Sequence, residues 1–213
     1  MTGTSRGSRR GLADGARTPG GSGAHPWRFI VLLGLPGAGK STVGPLVAAR
    51  LGGAFVDLDA VIVAEAGMSV GEIFDREGEA GFRARESRAT ARLVAGTSRG
   101  DDTSASGPGG APTVVVAPGG GWVEDPANLA LLGARALSVY LRVAVETAVA
   151  RMGVAAGSRP LIAGAGTAER LQELSRRREH LYLQSNHTLD VDSMTPDEVC
   201  DSIVALASRS SPD

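Results

Sequence analysis

The 213-residue chain carries 22 Lys and Arg against 23 Asp and Glu, a formal net charge of −1, a balance that argues against a dedicated nucleic-acid binder. Its length suits one domain or two small ones, and 42% hydrophobic with 21% charged residues excludes a wholly disordered chain. The single cysteine, Cys200, excludes an internal disulfide framework and a cysteine-built metal cluster and fits a reducing, cytoplasmic compartment, while no apolar run approaches the ~18 residues of a membrane-spanning helix.

Residues 1–26 hold Gly, Ser, Thr, Arg and Pro with almost no apolar periodicity and read as a disordered tail. Its Arg9-Arg10 pair is not followed by the apolar segment of an export signal. The domain is expected over 27–209. Phe29–Leu33 is a continuous apolar run ending at glycine, as in a buried parallel strand. Helical spacing follows from Ser41 to Leu51 and is stopped by Gly52-Gly53. Ala54–Val56 is a second strand running into Asp57-Leu58-Asp59, and Ala60 to Val94 is mostly helical with breaks near Gly67 and Gly78. The segment 96–112 lacks apolar residues other than alanine and reads as a flexible insertion. Thr113–Val116 is a third strand ending at Gly119-Gly120-Gly121. A helix over Asp125–Leu132, a strand over Leu137–Leu141 and a helix over Val145–Met152 come next. Residues 153–166 are Gly/Ala-rich around Arg159-Pro160 and read as a mobile loop. A charged helix from Thr167 to Leu183, a strand over Thr188–Val191 and a helix from Pro196 to Ala207 complete the chain, with 210–213 as a short tail. Strands alternating with helices predict an α/β three-layer sandwich around a five-stranded parallel sheet.

Gly34-Leu35-Pro36-Gly37-Ala38-Gly39-Lys40-Ser41 fits G-x-x-x-x-G-K-[ST] between a strand and a helix, the context a phosphate-binding loop needs. Its glycines let backbone N–H groups point at phosphate oxygens, Lys40 reaches the β- and γ-phosphates, and the Ser41 hydroxyl ligates Mg²⁺. Lys40 is the only lysine in the chain. A composition that uses arginine for every other cation has kept a compact point charge at this one position.

Asp57 and Asp59 lie two apart at the carboxyl end of a strand, so both carboxylates can face the crevice that holds the phosphates, one toward Mg²⁺ and the other toward a substrate hydroxyl. Capping of the following helix explains the same residues equally well. Arg83 and Glu86 are spaced for a salt bridge on one helix face, either as a solvated pair or as a fixed clamp for a substrate carboxylate. Gly119–Gly121 allow close approach of a ligand to the backbone, or simply a turn. Arg159 and Arg178 are single arginines in a loop and a helix, and the three histidines have no metal-ligand spacing.

Taken in order, these motifs resemble shikimate kinase from about Arg28 to Ala207. They are the GLPGAGKS loop, Asp57-x-Asp59, the GExxFRxxE stretch from Gly78 to Glu86, Gly119–Gly121, Arg159-Pro160-Leu161 and Arg178 to Tyr182. The resemblance implies a phosphate-loop kinase of nucleoside monophosphate kinase-like fold, with a lid near 153–166. It implies ATP and Mg²⁺-dependent phosphorylation of the 3-hydroxyl of shikimate by a cytoplasmic monomer that needs neither nucleic acid nor membrane. Gly37, Ala38, Gly39, Lys40, Ser41 and Thr42 would wrap the phosphates. Ser41 and Asp57 would hold Mg²⁺, and Asp59 would bind the ring hydroxyls and help the attacking one lose its proton. Arg83 and Arg178 would clamp the carboxylate with Glu86 orienting Arg83, and Gly119, Gly120 and Gly121 would line the acceptor pocket. Arg159 would neutralise the phosphates from the lid, and Arg151 with the segment around Ser193–Pro196 would flank adenine.

Pro118 before the triple glycine and Trp122 after it depart from the family pattern, and a large ring at 122 is expected to stand beside the acceptor pocket. Two other readings therefore compete: a kinase of the same fold acting on another hydroxylated acid, and a nucleotide-binding regulator without turnover.

Overall fold

A computed structural model describes residues 26–98, 112–153 and 166–209. It contains five strands, β1 (Phe29–Leu33), β2 (Ala54–Asp57), β3 (Val114–Ala117), β4 (Ala136–Arg142) and β5 (His187–Asp190). They form one sheet in the order β2-β3-β1-β4-β5, and every pairing is parallel. All five residues of β1 and all four of β3 are buried. Successive side chains on a strand point to opposite faces, so both faces of the sheet centre are covered. This is why these strands read as unbroken apolar runs. The edge strand β5 alternates between half-buried and exposed residues.

The covering helices are α1 (Lys40–Arg50), α2 (Leu58–Ala66), α3 (Val70–Ser98), α4 (Pro126–Leu132), α5 (Val145–Gly153), α6 (Thr167–Tyr182) and α7 (Pro196–Arg209). Helix α1 packs on α7, α2 on α3, and α5 on α6. Trp27 is buried and donates from its indole to the Ala207 carbonyl at 3.1 Å, fastening the start of the domain to α7. The break expected near Gly78 is a kink inside α3, where Gly78 takes φ 68° and ψ −176°.

One expected boundary moves. Residues 96–98 belong to α3 and not to an insertion, because Arg28 reaches across to hold that helix end, donating to the Thr97 carbonyl at 2.5 Å and to the Pro112 carbonyl at 3.2 Å. Residues 1–25, 99–111, 154–165 and 210–213, which include most of the expected tail, insertion and lid, lie outside the described residues.

The crossovers put the turns after β1, β2 and β3 at the same edge of the sheet, beyond the carboxyl ends of its strands. In open α/β sheets that edge is where ligands bind.

Candidate active site

The turn after β1 is the phosphate loop. Gly34, Gly37 and Gly39 take φ of 140°, 84° and 96°, which side chains with a Cβ rarely adopt. A Cβ at Gly37 would also stand 2.5 Å from the Ala148 carbonyl oxygen of α5. Ala38 is buried within the loop, and Thr42 is exposed on the first turn of α1. Helix α1 has no side-chain cap at Gly39, so its first-turn N–H groups and the positive end of its dipole are directed at the loop. Lys40 is 7% exposed, and its Nζ donates to the carbonyls of Gly34 at 2.7 Å and Leu35 at 3.1 Å. The lysine therefore stretches back over the loop that phosphates would enter.

Asp57 uses its two carboxylate oxygens in two places. Its Oδ1 caps α2 by accepting from the N–H groups of Asp59 at 3.1 Å and Ala60 at 3.3 Å. Its Oδ2 accepts from the Ser41 hydroxyl at 2.7 Å. One carboxylate thus fixes the start of α2 and meets the phosphate loop. A hydroxyl and a carboxylate side by side are hard oxygen donors of the kind Mg²⁺ takes. Among the described residues, no group of three or more His, Cys, Asp or Glu is placed to hold a metal ion by itself.

Beside the loop lies a cavity of about 580 Å³, lined by Pro36 of the loop, Asp57, Asp59, Arg83, Gly119–Gly121 and Arg178, with an apolar wall that includes Val63, Phe74, Phe82 and Leu174. Charged side chains press on Gly119 and Gly121, whereas Gly120 meets Arg178 only at ordinary contact distance. A Cβ at Gly119 would stand 2.8 Å from both Asp59 Oδ1 and Glu86 Oε1. One at Gly120 would stand 3.5 Å from an Arg178 terminal nitrogen, and one at Gly121 would overlap the Arg83 guanidinium at 2.0 Å. Tyr182 donates its hydroxyl to the Gly120 carbonyl at 2.5 Å and stacks on Tyr140. The triple glycine is therefore a surface shaped to the groups around it.

Arg83 is pinned as expected. It pairs through Nη1 with Glu86, and through Nη2 with Glu79 at 3.1 Å. Glu86 is fully buried, and that burial pushes its carboxyl up to about 7 against the pull of Arg83. For the less buried Arg83, burial is outweighed by its carboxylate partners, and its guanidinium is held above its ordinary value.

Arg178 is buried on α6, and its Nε donates to Glu124 at 2.9 Å. The sequence reading missed Glu124. It ends a short 3-10 helix, Trp122–Glu124, that follows the triple glycine. No spacing rule pairs it with an arginine 54 residues on.

Trp122 corrects an expectation. Its ring does not line the cavity. The residue is 1% exposed, with the indole N–H donating to Thr90 Oγ1 of α3 at 2.9 Å and its carbonyl accepting from Asn128 of α4 at 3.0 Å. The 3-10 turn rotates the ring into the core, which removes the main support for a reshaped acceptor pocket. Arg151 donates to the carbonyls of Val191 at 2.6 Å and Asp192 at 3.2 Å, so α5 is tied to the segment that leads into Ser193–Pro196. Arg159 lies outside the described residues.

A family model described as shikimate kinase matches residues 36–208. The shikimate kinase of Gloeobacter violaceus is 39% identical over 180 residues, covering 84% of this chain and 93% of the relative. That of Halorhodospira halophila is 44% identical over 162 residues, covering 75% and 82%. Among solved structures, a shikimate kinase from Acinetobacter baumannii in complex with shikimate is similar with a TM-score of 0.73 and 30% identity, over 85% of this chain and 93% of that one.

Proposed function

The chain belongs to the shikimate kinase family, and from that membership we propose that it transfers the γ-phosphoryl group of ATP to the 3-hydroxyl of shikimate, giving shikimate 3-phosphate. The observation that carries the acceptor half is the convergence of Asp59, Arg83, Arg178 and Gly119–Gly121 on one cavity bordered by the phosphate loop. A nucleotide binder without turnover would have no use for an acceptor clamp.

Phosphoryl transfer needs in-line positioning and neutralisation of oxygen charge more than covalent help from the protein. In this reading Lys40 and the N-terminus of α1 neutralise the β- and γ-phosphate oxygens. Arg178 and Arg83 take the acceptor carboxylate at the far side of the cavity, and Asp59 accepts from the ring hydroxyls and from the one that attacks. Glu86 holds the Arg83 fork in place. The hydroxyl of Ser41 and the carboxylate of Asp57 are the residues that would hold Mg²⁺, which with ATP bound supplies further charge neutralisation. The resemblance adds Arg159 as a phosphate-neutralising cation on a lid around 153–166, and Arg151 as a flank of the adenine. We read residues 27–209 as one catalytic domain acting as a cytoplasmic monomer. Among the described residues no helix is long and apolar enough to cross a membrane.

A coupled assay of ADP release with shikimate, quinate and gluconate as acceptors tests the reading. Rapid turnover is expected with shikimate and little with the other two. Preference for quinate or gluconate would assign the cavity to another acid, and ADP release indifferent to all three would remove the acceptor role.

A further inference from the structure

We propose that Glu124 is a positioning residue of the acceptor site, holding the guanidinium of Arg178 by its Nε so that the terminal nitrogens of Arg178 face the cavity, while Glu86 and Glu79 hold Arg83 beside it. This rests on the reading of the cavity as the shikimate site.

The backbone of Glu124 is fixed from both sides. Its N–H donates to the Gly121 carbonyl at 3.0 Å. Trp122, two residues before, is anchored in the core through Thr90 and Asn128. Asp125, directly after, caps α4 through the Ala127 N–H at 3.0 Å and accepts from the Ser87 hydroxyl at 3.2 Å. The 3-10 helix therefore presents the carboxylate of Glu124 in one place. Its Oε1 accepts from Arg178 Nε at 2.9 Å and from Arg177 Nη2 at 3.1 Å. Its Oε2 stands 4.0 Å from Arg83 Nε, a buried nitrogen with no hydrogen-bond partner among the described residues. One carboxylate thus accepts from Nε of Arg178 and stands near Nε of Arg83 without hydrogen-bonding it.

The choice of that atom matters. Nε lies on the stem side of a guanidinium, whereas the two terminal nitrogens form the end-on fork that grips a carboxylate. Occupying Nε of Arg178 leaves its terminal nitrogens directed onward, one of them against Gly120. Without Glu124, a long arginine side chain has many rotamers, and only a few of them aim the fork at the acceptor. The charge of Glu124 works against an anionic acceptor, so its benefit lies in the hydrogen bond and not in its sign. Glutamine, which can also accept from Nε, is then expected to serve almost as well.

The experiment measures shikimate and ATP kinetics and melting temperature for wild type, Glu124→Ala and Glu124→Gln. Glu124→Ala is expected to raise KM for shikimate about tenfold, the scale of one lost charge-assisted hydrogen bond, with kcat and KM for ATP within about twofold. Glu124→Gln is expected to restore KM to near the wild-type value. A Glu124→Ala KM that is unchanged or lower overturns the proposal, as does a parallel rise in KM for ATP or a Glu124→Gln variant as impaired as the alanine. If wild type phosphorylates shikimate and any of these results appears, this inference fails alone. If wild type accepts none of the acids offered, the functional reading fails and takes this inference with it.

Discussion

Lys40 combines two duties that the sequence shows only in part. Its uniqueness marks it, and its place in the loop predicts phosphate contact, but a loop lysine is expected to be solvated. Here it is 7% exposed and donates to two loop carbonyls. Lys40→Ala is therefore expected to cut kcat by about 10²–10³-fold or more, as loss of a preorganised charge at the reacting centre does. It should also lower stability by about 1–3 kcal/mol through the two carbonyls left without this donor. Single-turnover kinetics and a thermal melt check both, and a wild-type kcat would defeat the phosphate-loop assignment. Gly121 gives a second residue-scale test. Its φ of −95° is ordinary, so alanine meets no backbone strain, yet its Cβ would overlap the Arg83 guanidinium, which Glu86 and Glu79 hold in place. Gly121→Ala is expected to raise KM for shikimate at least about tenfold, a displacement of the clamp by roughly 1 Å, and to spare KM for ATP. Equal damage to both substrates would place Gly121 outside the acceptor site. The arginines and glycines that line the cavity were legible from their motifs. Glu124 and the inward turn of Trp122 were not, because both depend on how a three-residue helix is rotated against α3 and α6, a relation that no local pattern encodes.

Element boundaries were legible wherever glycine or proline punctuates an apolar period. The breaks at Gly67 and Gly78 are examples, and the first is the left-handed cap that ends α2. The end of α3 was not legible, because the long reach of Arg28 holds it rather than any signal in residues 96–98. Helix α3 also has a consequence for the site. Its kink at Gly78 lies five residues before Arg83 and is braced by Arg85, which pairs with Glu77 across it through two hydrogen bonds of 2.6 and 2.9 Å. The backbone of Gly78, φ 68° and ψ −176°, is in a region essentially closed to other residues. A Cβ there would touch nothing within 4 Å, so any cost is backbone strain alone. Gly78→Ala is expected to destabilise by about 1–3 kcal/mol. It should also raise KM for shikimate, because relief of the strain toward a straight helix would swing Arg83 away from the cavity. An unchanged melting temperature together with an unchanged KM would show that the kink is not imposed by this glycine.

At the scale of the whole molecule, the parallel sheet and its central strands followed from the apolar runs, whereas the strand order rests on crossovers that a one-dimensional pattern leaves open. The fold encloses Glu86 completely beside the cavity, and this sets a pH dependence of global stability. Glu86 is faced by Arg83, Asp59 and Arg178. Burial is the largest influence, raising its carboxyl from an ordinary 4.5 to about 7, with Asp59 adding to the rise and the two arginines opposing it. Because the folded value lies above the unfolded one, the folded state binds the proton more tightly. That contribution to stability is fully present below about pH 4.5 and is lost as pH rises through about 7. Other carboxylates titrate too, among them Glu124, whose burial is outweighed by Arg178 and which is therefore held below its ordinary value. The comparison that isolates Glu86 is the wild type against Glu86→Gln, whose amide does not titrate. The melting temperature of the wild type minus that of Glu86→Gln is expected to fall between about pH 5 and pH 7 and to level off above that, whatever constant offset the lost Arg83 pairing introduces. A difference that is flat over that range, or that rises, would show that Glu86 is already ionised at pH 5 and that Arg83 outweighs the effect of burial.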